Sequence, residues 1–180
     1  MRTMSDRRAA RVAGLLFISA TVPFSVSVVL LAPVLESADL LTQLASNPGR
    51  VSAGVLLEVV NHVSVAAISV VLYPVLSRYS RRLAVGYVAA RSIEAALFAL
   101  ATTNLLMLVQ LSQEAANPGT EPLSAMLLAG HDWNQATLPF VAFALGALIL
   151  NHTLYQTRLV PVSYTHLRAH ETSRAISYAV

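Results

Sequence analysis

The apolar stretch from Val51 to Leu76 most constrains what this chain can fold into. It exceeds the about 20 residues that a helix needs to cross a bilayer, yet it carries Glu58, Asn61 and His62. A charged or polar side chain at that depth is costly, so each of the three needs a partner inside the protein. The stretch therefore predicts a membrane-spanning helix that packs against further helices of the same chain.

The rest of the chain shares this apolar character. Hydrophobic residues make up 56% of it and charged residues 12%, whereas soluble domains have roughly 45–50% and 25%. We expect an all-α, polytopic transmembrane helix bundle, built as one domain by residues 1–161. Pro23 and Pro33 are expected to kink or end its first span. The four predicted spans are residues 12–35, 51–76, 83–111 and 135–155.

The arginines lie at the ends of the apolar runs and predict the topology, because positively charged loops stay on the cytoplasmic side. On one predicted side lie Arg2, Arg7, Arg8 and Arg11, then Arg78, Arg81 and Arg82, then Arg158. The loop after the first span has only Arg50 and the loop after the third has none, so we expect a cytoplasmic N-terminus. A secretory signal would have a shorter apolar part. Positive charge spread in this way excludes a nucleic-acid-binding surface, and the expected partner is the lipid bilayer.

Two segments between the spans have patterns of their own. Ser37 is expected to cap a short helix, ADLLTQLAS, whose leucines at positions 40, 41 and 44 share one face. This helix either lies on the membrane surface or packs against the bundle. Residues 112–134 are expected to form a polar loop, because they contain several helix breakers. These are Asn117, Pro118, Gly119 and Pro122.

Polar residues inside the second and third spans form the candidate site. Glu58 and His62 are spaced i, i+4 on one helix face, and Asn61 lies beside them. Arg91 and Glu94 are spaced i, i+3 on the next helix, at a similar depth. We expect all five to face the interior as one polar cluster, with Arg91 neutralising Glu94 and Glu58 sharing a proton or hydrogen bond with His62. Alternatively, Arg91 snorkels towards the cytoplasmic face.

Metal and cofactor chemistry has little support in this sequence. A metal site would combine Glu58 and His62 with His131 or Asp132, but E-x-x-x-H supplies only two ligands and a catalytic zinc needs three. The chain has no cysteine, no glycine-rich phosphate loop and no G-x-S-x-G motif. We expect neither a metal nor a cofactor. His131, Asp132 and Trp133 fit better at the outer membrane interface, where charged groups reach water.

The C-terminal stretch Val162–Val180 is interpreted as non-native. Back-translation of VSYTHLRAHET, residues 162–172, and of the final ISYAV gives two constant pieces of a common DNA-sequencing library adaptor in the same frame. Scars of this kind are excluded from fold reasoning. On this interpretation His166, His170 and Glu171 are not candidate ligands, and the adaptor replaces the native sequence after Pro161.

Four patterns resemble a known family of bacterial multi-pass membrane proteins, domain of unknown function 4386. They are RVAGLLF, ADLLTQLASNPGRVSAGVLLEVVN, LAVGYVAARSIEAAL, and HDW followed by LYQTRLVP. The resemblance covers nearly all of residues 1–161. It implies a bacterial inner membrane protein and a bundle of about six helices, of which this chain lacks the last two. It implies no activity.

We expect an integral membrane protein of unknown molecular function whose polar cluster is structural. Two alternatives remain open, and both use the same residues. A small-molecule or proton-coupled transporter requires water to reach Glu58 and His62. An intramembrane enzyme requires further polar residues to converge on the same place. The sequence favours a protein that is not an enzyme.

Overall fold

The computed structural model describes residues 6–114 and 120–157, and within them the chain is an all-α bundle. The stretch interpreted as adaptor, residues 162–180, lies outside the described residues, as do Arg158 and three of the expected helix breakers, at positions 117–119. The elements in chain order are α1 (Asp6–Leu35), α2 (Leu40–Ser46), α3 (Pro48–Leu76), α4 (Arg81–Ser112), α5 (Thr120–Asp132), a π-helical segment (Trp133–Thr137) and α6 (Leu138–Thr157).

Four of these stretches are long and apolar enough to cross a membrane: Arg7–Leu35, Pro48–Leu76, Arg81–Ser112 and Thr120–Thr157. Many large apolar side chains on them point outward, such as Val29 at 69% and Leu148 at 68% exposure. So much exposed apolar surface is unfavourable in water but suits contact with lipid. The predicted fold class is therefore confirmed, and the chain is a membrane protein.

Helix α1 runs through both of its prolines and ends at Leu35. Pro23 has no N–H group to donate to the carbonyl of Ser19, one turn earlier. The next carbonyl, that of Ala20, accepts a hydrogen bond of 2.9 Å from Asn61 Nδ2 on α3. Helix α3 thus donates a hydrogen bond to α1 beside Pro23, and neither proline ends the helix.

The short helix after α1 packs against the bundle. Leu44 is buried in the cluster that α1, α3 and α4 form at this end, and Leu40 and Leu41 pack against the same cluster. The expected cap at Ser37 is wrong, because the helix begins at Leu40 with Asp39 at its N-cap. The Ser37 hydroxyl instead accepts a 3.2 Å bond from the backbone N–H of Asp39, which is a turn rather than a cap.

The expected polar loop 112–134 is wrong over most of its length, because α5 begins at Thr120 rather than near Gln135. Pro122 lies in the first turn of α5, where a missing backbone N–H costs nothing. The five residues Trp133–Thr137 are π-helical and join α5 directly to α6. The fourth span is therefore one long helix, Thr120–Thr157, with a π-helical segment in its middle; it is called here the broken helix.

The bundle is held by close contacts between successive helices. Helix α1 packs along α3, α3 along α4, and α4 along both α5 and α6. Gly54 allows the closest approach, since a Cβ built there would lie 2.6 Å from Leu31 Cγ. Ser27 Oγ donates a 3.0 Å bond to the carbonyl of the same glycine. Because α1 packs on α3 while α6 packs on α4, a cleft remains between α1 and the broken helix.

Candidate functional site

Three helices meet at the carboxylate of Glu58, which is only 1% exposed. Thr102 Oγ1 on α4 donates a 2.7 Å hydrogen bond to Glu58 Oε2. Gln135 Nε2 in the π-helical segment donates a 2.9 Å bond to Glu58 Oε1. Both donors are neutral, so they offset part of the cost of burying the carboxylate but supply no countercharge.

A histidine lies between this carboxylate and a second, exposed carboxylate. His131 Nε2 is 3.7 Å from Glu58 Oε1, and its Nδ1 is 3.1 Å from Oδ1 of Asp132. The His131 side chain is 6% exposed and that of Asp132 is 66% exposed. The side chains of Asp132, His131 and Glu58 thus form a line from the surface to a buried carboxylate.

His131 does not reach water, as was expected for this interfacial segment, because its side chain is only 6% exposed and faces the bundle interior. Successive residues of a helix point about 100° apart, so His131 can face the interior while its neighbour Asp132 faces outward. Trp133 is 57% exposed, which fits an interfacial tryptophan. Position along the chain predicts how deep these residues lie in the membrane, but it does not predict which side of the helix each one occupies.

The π-helical segment places Gln135 on Glu58. Wider π turns are rare, occur mostly as single-turn bulges inside α-helices, and are frequent at functional sites. Here the wider turn changes which face of the fourth span points inward after Asp132. Asn134 Nδ2 stabilises the junction by donating a 2.8 Å bond to the carbonyl of Gly130.

A second charged group lies on α4 alone. Arg91 Nη1 is 2.8 Å from Glu94 Oε2, and the two side chains are 5% and 4% exposed. The arginine pairs within the bundle instead of snorkelling. Its Cζ lies 5.7 Å from the ring centroid of Phe143, and Gly146 leaves room for its Cδ, which a Cβ there would approach to 3.3 Å.

The last two residues of the expected cluster have partners of other kinds. Asn61 donates to α1, as described above, and is 5% exposed. His62 is 7% exposed and stacks on Phe98, with ring centroids 5.3 Å apart and planes 1° from parallel. All five residues are therefore buried, but their direct contacts fall into separate groups. The hydrogen bonds of Glu58 go to Thr102 and Gln135, where bonding to His62 was expected.

The carboxylate of Glu58 faces a cavity of about 390 Å³, called here the acidic cavity. Its polar walls are Glu36, Glu58, His131, Asp132 and Gln135. A second cavity, of about 450 Å³, adjoins it, and Val28, Gln135 and Ala136 line both. Within residues 6–114 and 120–157, no group of three or more histidines and carboxylates is placed to hold a metal ion. The arrangement instead suits proton transfer and the binding of small molecules.

The family model described as a domain of unknown function, DUF4386, matches residues 12–167. The chain belongs to this family. Comparison with curated proteins and with solved structures gives no match. The match extends beyond Pro161 into the stretch interpreted as adaptor. The description of DUF4386 assigns no function to this DUF4386 protein.

Two residues that contact Glu58 were not among the sequence candidates. Thr102 lies eleven positions after Arg91, about three helical turns, and so on the same face of α4. That spacing could have identified it. Gln135 had no such signal, because its direction depends on the π-helical segment, and nothing in the residue pattern predicted that segment.

Proposed function

We propose that this DUF4386 protein is a proton-coupled membrane carrier in which Glu58 binds and releases the proton. The observation that supports this function is the line of side chains from exposed Asp132 through His131 to buried Glu58. Carboxylates and histidines inside membrane helices commonly mark proton and substrate pathways.

The histidine can pass a proton without gaining or losing one overall. His131 Nδ1 accepts a proton from the Asp132 carboxyl group, and Nε2 gives its own proton to Glu58 Oε1. The imidazole returns to its first tautomer when the two transfers run in reverse: Glu58 gives its proton to Nε2, and Nδ1 gives one back to Asp132. The 3.7 Å between Nε2 and Oε1 has to shorten by about 0.5–1 Å for the second transfer, which a small side-chain rotation supplies.

The length of the fourth span supports water access at the Asp132 end. Asp132 lies about 37 Å along the fourth span from Thr157, which exceeds the about 30 Å of hydrocarbon in a bilayer. Glu36, at the end of α1, lines the same cavity. Together with the arginine distribution, this supports a location in the bacterial cytoplasmic membrane, with the N-terminus inside and the acidic cavity open outward.

The structural role that the sequence favoured is proposed for Arg91 and Glu94 only. That pair is neutral by itself and lies on one helix. Glu58 carries a negative charge whose hydrogen-bond partners are neutral, beside a cavity that admits water-sized molecules. Ion pairing explains the first group, whereas helix packing does not require a buried carboxylate with neutral hydrogen-bond partners at Glu58.

A hydrophobic carbodiimide tests this function, since the reagent modifies protonated carboxyl groups in apolar surroundings. We expect one adduct on Glu58, found by mass spectrometry of peptides from the full chain in lipid nanodiscs, with a yield that falls as the pH rises. Glu58→Gln should remove the adduct, and His131→Gln should slow its formation. Glu114→Gln, which changes an exposed carboxylate outside the bundle, should leave it unchanged. Absence of an adduct on Glu58 at every pH would contradict the proposal.

A further inference from the structure

Aromatic residues are concentrated around the second cavity, called here the aromatic cavity. Of the five phenylalanines in the chain, four line it. These are Phe24 on α1, Phe98 on α4, and Phe140 and Phe143 on α6. The rings stand in two tilted pairs, Phe24 with Phe98 at 6.1 Å and Phe140 with Phe143 at 6.2 Å between centroids. The cavity, of about 450 Å³, is large enough for a small ring-bearing ligand.

Aromatic faces attract cations, because the ring quadrupole is negative above its plane. The protein already uses one of these rings in that way, since the Arg91 guanidinium carbon lies 5.7 Å from the centroid of Phe143. The remaining rings of the cavity have no cation of the described residues against them. The walls therefore suit a ligand that combines an apolar body with a positive charge.

The polar groups at the aromatic cavity are hydrogen-bond acceptors. Gln135 Oε1 is buried and has no hydrogen-bond partner among the described residues. Glu94 is 3% exposed and lines the same cavity, and its Oε2 forms an ionic contact with Arg91 that is not aligned as a hydrogen bond. Buried acceptors without donors are costly, so a ligand that donates hydrogen bonds fits better than one that only accepts them.

The buried charges around the two cavities leave a deficit of one positive charge. Among the buried groups Glu58 and Glu94 are acidic and Arg91 is basic, so their formal sum is −1 with His131 neutral. The carboxylates of Glu36 and Asp132 also line the acidic cavity but are exposed, and they are left out of this sum. Either one proton on Glu58 or one monovalent cation nearby balances that charge. Since the desolvated site favours neutrality, the proton and the cation compete.

From these four features we infer that the aromatic cavity binds a small primary organic ammonium ion, which this protein exchanges for the proton on Glu58. The inference rests on the proposed function, because the exchange needs a titrating Glu58. The rings hold the apolar body of the ligand, and the ammonium group donates to Gln135 Oε1 and to the Glu94 carboxylate.

The Gln135 amide links the two sites. With Glu58 ionised, the amide gives its N–H to Glu58, and its oxygen is left to accept from the ammonium group. Protonated Glu58 needs an acceptor instead, so the amide turns over and presents its NH₂ group to the aromatic cavity. The ammonium ion then meets a donor where it had an acceptor. A proton on Glu58 therefore expels the cation without any contact between the two.

Other ionisable groups surround Glu58, and each could contribute to a pH effect. They are His62 on α3 itself, Arg91 and Glu94 on α4, His131 and Asp132 on α5, and Glu36 after α1. The variant Glu58→Gln separates the contribution of Glu58 to the pH effect from that of the other six groups. It removes the titrating carboxyl group and leaves the other six in place.

Equilibrium dialysis of radiolabelled 2-phenylethylammonium against the full chain in lipid nanodiscs, with empty nanodiscs as the blank, tests the inference. We expect saturable binding that weakens at least about tenfold as the pH falls, and competitors of similar size, 2-phenylethanol and 3-phenylpropionate, that bind at least about tenfold less tightly. Glu58→Gln and Gln135→Leu should each remove the pH dependence.

A matched pair of phenylalanine variants locates the site. Phe140→Leu should weaken binding about fivefold or more, and its 67% exposure makes it the wall residue least needed for folding. Phe17→Leu changes the phenylalanine outside the cavity and should bind like the parent chain. Thermal unfolding of both variants checks that each is folded.

The two proposals fail in different ways. Equal effects of the two phenylalanine variants, no saturable binding, or equal binding of 2-phenylethanol would overturn the cation site. If Glu58 still forms its carbodiimide adduct in that case, the proton site stands. If the ammonium ion binds with no pH dependence and Glu58 forms no adduct, the exchange and the proposed function both fall.

Discussion

Glu58 and Glu94 are both buried carboxylates, but the protein compensates their burial in opposite ways. Glu94 has its countercharge one turn away on its own helix, with 2.8 Å between Arg91 Nη1 and Glu94 Oε2. Glu58 has two neutral donors from two other elements and a histidine at 3.7 Å. Glu94 is thus compensated by an opposite charge, whereas the hydrogen bonds of Glu58 come from neutral groups.

On the proposed function, the difference separates a charge that holds the bundle together from a charge that can change. A buried ion pair gains little over apolar packing, but it loses much when one partner is removed. A lone carboxylate with neutral donors can accept a proton and keep its partners, because a hydroxyl and an amide can both reverse their roles. Variants of the two groups should therefore behave differently.

The largest effect is expected at the ion pair. Arg91→Leu leaves Glu94 buried without its countercharge and should lower the free energy of unfolding by about 3–5 kcal/mol. Unfolding by sodium dodecyl sulfate in mixed micelles measures this loss. The double variant Arg91→Leu with Glu94→Leu should recover most of it. If the double variant is as unstable as Arg91→Leu alone, the loss in stability does not come from an unpaired charge on Glu94, and this explanation is contradicted.

A smaller effect is expected from one hydrogen bond to Glu58. Thr102→Val removes the 2.7 Å bond to Oε2 and should cost about 1.5–3 kcal/mol, the usual range for a bond to a charged group. Thr103→Val is the matched control, since Thr103 is exposed and donates only to Ala99 of its own helix. The same unfolding titration should show less than about 0.5 kcal/mol for the control. Equal losses at both positions would mean that Glu58 does not depend on this donor.

The smallest effect on stability is expected at Glu58 itself. Glu58→Gln keeps the shape of the side chain and removes a buried charge, so the free energy of unfolding should change by less than about 1 kcal/mol. Glu94→Gln makes the same chemical change beside Arg91 and leaves a buried charge unpaired. If Glu58→Gln lowers the free energy of unfolding more than Glu94→Gln does in parallel unfolding titrations, the roles proposed for the two groups are contradicted.

The parts of this arrangement that depend on local spacing could be predicted from the sequence. Apolar run length gave the four spans, and the i, i+3 spacing brought Arg91 next to Glu94. Burial of the five polar residues followed from the cost of exposing them to lipid. The family resemblance was confirmed over residues 12–167.

What could not be predicted depends on how the fourth span is built. The sequence predicts a loop for its first half, because Pro122 and the polar residues around it resemble a turn, although a proline in the first turn of a helix does not interrupt it. The π-helical segment then decides where Gln135 points. A pattern based on 3.6 residues per turn cannot register such a local change, so the contact between Gln135 and Glu58 could not be predicted.

Infrared spectroscopy of the full chain across a pH titration tests most directly whether Glu58 is the carboxyl group that changes. We expect one pH-dependent C=O band of a protonated carboxylic acid in apolar surroundings, which Glu58→Gln removes and Glu94→Gln retains. Loss of that band in Glu94→Gln and its survival in Glu58→Gln would show that the ion pair titrates instead, and would contradict the assignment of the proton to Glu58.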